Sequence, residues 1–146
     1  MQTILVPSLV LLGAATGAEP SVPAALAPPR VLRAEVSLAA PKVSGHVSAE
    51  RVAEQLAAPA RAGVERCVMA AVPDKGDTSS TFDAWVTVRL SLGADGVVRA
   101  ASGYESAPFM PELEECVAQA WVGGQGPALS KGKAATVLWT MNLKRV

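Results

Sequence analysis

WVTVRLSL at positions 85–92, Gly93-Ala94-Asp95-Gly96, and then VVRAAS at 97–102 form the most informative stretch of this chain. Val86, Val88, Leu90 and Leu92 fall on one side of an extended backbone, and Trp85, Thr87, Arg89 and Ser91 on the other. That period of two predicts a strand with one face in the core and one in water. Asp95-Gly96 tolerates the positive φ of a tight reversal, so 97–102 returns antiparallel as the second arm of a β-hairpin.

Downstream, Pro111 suits a first helical position, where its missing N–H costs nothing. Glu112, Glu114 and Glu115 suit the positive end of the helix dipole and read as a solvated first turn. Leu113, Cys116, Val117, Ala120 and Trp121 make the apolar side of that helix, and Gly123, Gly124, Gly126 and Pro127 end it. Alternation resumes over 135–143, with Val137, Trp139, Met141 and Leu143 on one face and Thr136, Thr140 and Asn142 on the other. A third strand is expected there.

Upstream, Ser48 is a helix N-cap candidate with Glu50 in the first turn. Val52, Leu56, Ala60, Val64 and Val68 recur every fourth residue as one helical stripe, with Cys67 beside it. Pro59 interrupts the stripe at a cost of about 3 kcal/mol, which predicts a kink or two shorter helices ending near Ala71. Pro73 then stops the helix before a polar loop, DKGDTSST at 74–81.

The order helix, strand, strand, helix, strand predicts an α+β fold: a three-stranded antiparallel-type sheet with both helices on one face. A right-handed crossover through the second helix puts the third strand on the far side of the first. The first strand is then central and the third is an exposed edge.

Before the domain, residues 1–18 carry no charged side chain and hold an apolar run over 4–12. The run is shorter than the roughly 20 residues a bilayer span needs. It suits a signal-peptide core cleaved near Ala18, although no Lys or Arg precedes it. Residues 19–42 contain Pro20, Pro23, Pro28, Pro29 and Pro41 and read as a semi-rigid linker. Within it, VLRAEVSL at 31–38 is either a short strand or more spacer, and its imperfect alternation favours spacer. The domain is therefore expected over 43–146.

The two cysteines, Cys67 and Cys116, lie on the inner sides of two helices expected to be neighbours. In an exported chain they pair as a disulfide, the alternative being two buried free thiols. Closing that loop stabilises by at most about 4 kcal/mol on a chain-entropy argument.

A helix ending near a Cys, a D-G-x-V hairpin (Asp95, Gly96, Val98), a Ser late in the second strand (Ser102 or Ser106), L-x-x-C-V (Leu113, Cys116, Val117) and a terminal strand together resemble the TonB C-terminal-domain-like family. The resemblance spans roughly 43–146 and is nearest to the two-cysteine branch of gliding-motility-type envelope proteins. It implies a non-enzymatic cell-envelope adaptor, periplasmic or secreted, that takes a partner's extended peptide along an open sheet edge. That edge is expected on the third strand, at Val137, Trp139 and Met141. Lys131, Lys133, Lys144 and Arg145 flank it, charges that also serve to blunt an edge. The membrane anchor and Lys-Pro tether of TonB itself are missing, so energy transduction is not implied. The alternative function is a disulfide-linked structural or accessory scaffold in a cell-surface assembly.

Composition narrows the remaining classes. Thirteen basic and thirteen acidic residues cancel and only 18% of residues are charged, so neither a nucleic-acid polycation nor a disordered chain is expected. No cofactor is expected. His46, the single histidine, reads as a turn residue beside Gly45, which removes a His-paired nucleophile and a His-rich metal site. GPALSKGK at 126–133 matches a phosphate-binding loop poorly, because its glycine spacing is one too long and Ala134 replaces the hydroxyl. Trp121 and Trp139 read as core aromatics.

Overall fold

The computed structural model describes residues 31–129 and 133–146. The signal-peptide and proline-rich readings up to residue 30 lie outside the described residues, as do Lys131 and the middle of the GPALSKGK stretch. Seven elements follow one another: β1 (Ala34–Leu38), β2 (Lys42–Ser44), α1 (Ala49–Ala70), β3 (Phe82–Leu92), β4 (Val98–Ala107), α2 (Pro111–Gln119) and β5 (Ala135–Arg145).

The hairpin forms where the alternation places it, and both arms are longer than the motif. β3 pairs antiparallel with β4, and a turn closes through Gly93 N–H to Val97 O and Gly96 N–H to Gly93 O. Gly96 has φ +84°, and a Cβ there would strike the Gly126 and Pro127 carbonyls, so the glycine serves both the turn and a close backbone approach. β5 pairs antiparallel with the other side of β3 from Phe82↔Arg145 to Leu92↔Ala135. The first hairpin strand is thus central, as the crossover through the second helix implies.

The sheet has five strands rather than three. β1 and β2 both pair antiparallel with the outer side of β5, giving the order β1/β2–β5–β3–β4. The segment read as linker therefore enters the sheet, and the compact unit begins at Leu32 rather than at 43. Its signal is present but faint. Leu32, Ala34, Val36 and Leu38 alternate with Arg33, Glu35 and Ser37, and Glu35 stands opposite Lys144. Small Ala34 and the surrounding prolines dilute that period.

Between β1 and β2 the register slips. Leu38 faces Met141 and Lys42 faces Leu138, so Ala39, Ala40 and Pro41 together span only Thr140 and Trp139. The Trp139 indole N–H donates to Ala39 O at 2.7 Å and so holds the slip in place.

α1 runs unbroken through Pro59 for 22 residues, one helix where a break is the local expectation. Ser48 caps it, its hydroxyl accepting from Arg51 N–H at 3.4 Å. Burial of Val52, Leu56, Ala60, Val64, Cys67 and Val68 against the sheet outweighs the proline's local cost, at about 25 cal/mol per Å² of apolar area. Both helices contribute to one core with the inward residues of the strands. Trp121 and Trp139 stack at its centre, with centroids 4.5 Å apart.

Candidate functional site

Val137, Trp139 and Met141 do not line an edge. Their side chains are 0%, 1% and 0% exposed, and β5 is bonded on one side to β3 and on the other to β1 and β2. The chain's own residues 34–44 add to β5 just as a partner strand would. The expected edge is corrected for that reason: topology read from three strands leaves out the segment that closes the third.

The flanking charges are also placed differently. Lys133 is exposed, and Lys144 reaches Asp83 at 3.9 Å on the open sheet face. Arg145 is fully buried. Its guanidinium donates to the carbonyls of Val68, Met69 and Ala71 at the end of α1 and to those of Asp77 and Ser80 in the following loop, at 2.6–3.1 Å. Strand alternation carries this consequence, because 135, 137, 139, 141 and 143 are inward and 145 continues them.

Cys67 and Cys116 are bonded, S–S 2.07 Å, joining the last turns of α1 to α2. Cys67 is buried and Cys116 is exposed, whereas Ala118 takes the inward position beside Leu113 and Val117. The solvated reading of α2's first turn holds for Glu112 and Glu115 and fails for Glu114. The Glu114 carboxylate accepts from Ser106 Oγ and lies over Gly103, where a Cβ would come within 2.6 Å of Oε1. A glycine in β4 is the signal that something packs closely there.

The outer face of the sheet is open, as the alternation implies, though not uniformly wet. Thr87 and Thr140 hydroxyls bond across strands at 2.6 Å, and Arg89 lies over the Tyr104 ring at 5.0 Å. His46 is exposed in a bend beside Gly45. Among the described residues there is no group of three or more His, Cys, Asp or Glu that could hold a metal ion, and no helix long and apolar enough to cross a membrane.

Two sheet edges remain. β4 is defended: Gly123 N–H and Gly124 O pair with Val98, the Gln119 amide reaches Ala101 O at 3.5 Å, and an irregularity offsets the register opposite Thr87 and Val88. Bulges and covering loops of this kind discourage strand addition.

The outer edge of β1 is more open. Arg33 and Val146 exchange backbone bonds, and Ala39 N–H donates to Thr140 O. Odd-numbered residues therefore face β5, and the N–H and C=O of Ala34, Val36 and Leu38 point away from the sheet. Val36 O accepts from Arg61 of α1 at 2.7 Å, which corroborates that direction. Beside this edge lies a shallow groove of about 840 Å³ between β1 and α1, bordered by Leu32, Ala34, Ala62, Glu65, Arg66 and Met69. The sequence conceals this edge because nothing local tells which strand ends a sheet.

No family model, curated protein or solved structure matches the chain.

Proposed function

We propose that this protein is an exported, non-enzymatic cell-envelope adaptor that captures an extended peptide of a partner protein as an added strand. The observation that carries the reading is the outward backbone of Ala34, Val36 and Leu38 beside the groove against α1. Main-chain groups supply affinity in strand addition, and alternate side chains of the added strand enter the neighbouring groove. The motif resemblance to TonB C-terminal-like domains supports the same mode of contact, moved one strand outward because β1 and β2 occupy the expected edge. The disulfide supports export, since such bonds persist in oxidising compartments.

Ala34→Pro tests the reading. It deletes an outward N–H and leaves the ladder to β5 intact, and proline is tolerated at such edge positions. From a host envelope extract, the full chain should retain a partner that the Ala34→Pro chain, still unfolding cooperatively within several degrees of the parent, loses at least tenfold. Equal retention by both chains would remove the β1 edge from the account.

A further inference from the structure

Of the large apolar side chains exposed among the described residues, Val72 at 58% and Phe109 at 75% lie on the same groove. It measures about 320 Å³ and runs between the end of α1 and the start of α2. Met110, Leu113 and the Cys67–Cys116 disulfide add to its apolar lining. The disulfide ties one wall to the other, so the groove is preorganised and an occupant need not order it.

Its charge is one-sided. Asp74 and Glu112 are the charged groups of the lining, and neither takes part in an ion pair among the described residues, where the pairs are Arg33–Glu35, Arg99–Asp95 and Lys144–Asp83. Lys75 follows Asp74 but does not border the groove. Glu112 also sits in the first turn of α2, where it offsets the positive end of the helix dipole that would otherwise favour an anion. An apolar lining that carries two unpaired carboxylates fits an apolar side chain accompanied by cations, and it repels an acidic segment.

We infer that this groove docks a short cationic, amphipathic segment of a partner protein, seating an apolar side chain against Val72, Phe109 and the disulfide while Lys or Arg side chains meet Asp74 and Glu112. The surface is separate from the β1 edge, the two grooves sharing only Ala70 on α1.

The test is an NMR titration of the isotope-labelled full chain with the peptide acetyl-Lys-Leu-Leu-Lys-Leu-Leu-Lys-amide and with its all-Glu counterpart. The Lys peptide should shift the amides of 70–74 and 109–113 and weaken as salt is raised. The Glu peptide should bind at least tenfold more weakly. Phe109→Ala should cut Lys-peptide affinity at least fivefold, Asp74→Lys with Glu112→Lys should reverse the peptide preference, and Ala34→Pro should change nothing. The Asp74, Phe109 and Glu112 side chains are exposed, so their variants keep the fold, and the spectra of all variants check that directly. Equal binding of the two peptides, shifts lying elsewhere, or an unaffected Phe109→Ala chain would each overturn the proposal.

Discussion

Five backbone carbonyls converge on the Arg145 guanidinium, with the Phe82 ring 5.0 Å away. Among the described residues no carboxylate pairs with it; the negative end of the α1 dipole and the loop carbonyls compensate the buried charge. Removing that side chain leaves several buried acceptors unmet, each worth about 1–3 kcal/mol. Arg145→Met should therefore lower the unfolding free energy by about 3 kcal/mol or more in urea titrations, with Arg145→Lys intermediate. In the same loop, Asp77 holds its carboxyl below the ordinary carboxylate range. The cause is first the Ser79 hydroxyl at 2.6 Å and then the Ser79 N–H at 2.8 Å, with the Arg145 charge a smaller contribution. A lowered folded value means a stabilising contribution present above the ordinary range, near pH 4, and lost as pH falls through the folded value. NMR titration of Asp77 should show the low value, and Ser79→Ala should return it toward the ordinary one.

Among the elements, β5 and β1 make opposite predictions for proline. β5 is bonded on both sides, so every N–H in it has a use, and Val137→Pro or Trp139→Pro should leave no cooperative unfolding transition. Ala34→Pro should cost less than about 1 kcal/mol, because its N–H faces outward. Circular dichroism melts separate the two. The hairpin and both helices are legible in sequence because strong periods of two and of four residues repeat within them. β1 and β2 are short, partly buried and rich in small residues, so their pattern barely rises above the prolines around it. Pro59 misleads in the other direction: the local rule is sound, yet tertiary burial of Leu56, Ala60 and Val64 overrides it.

For the whole molecule, the consequence is a small core closed by three devices: the Cys67–Cys116 bond, the buried Arg145, and the 34–44 segment wrapped along β5. The cysteine pairing is legible because Cys67 and Cys116 fall on two neighbouring helices, although Cys116 sits on the exposed side of α2 rather than on its inner face. Neither the role of Arg145 nor the closing of the β5 edge is legible, because each depends on contacts between residues 65 or more positions apart, such as Ser80 with Arg145. The bond closes a loop of sequence separation 49. Reduction should thus cost up to about 4 kcal/mol, read as a lower urea midpoint with dithiothreitol present.

Amide hydrogen exchange measures both the pairing of β1 with β5 and the outward direction of the Ala34, Val36 and Leu38 N–H groups. In the free full chain, the amides of Arg33 and Ala39, bonded to Val146 and Thr140, should exchange slowly and those of Ala34, Val36 and Leu38 fast. When the partner retained from envelope extract is added, the three fast amides should become slow. Fast exchange at Arg33 and Ala39 in the free chain would contradict the closing of β5 by its own N-terminal segment. Unchanged exchange at Ala34, Val36 and Leu38 in the complex would contradict strand addition at this edge.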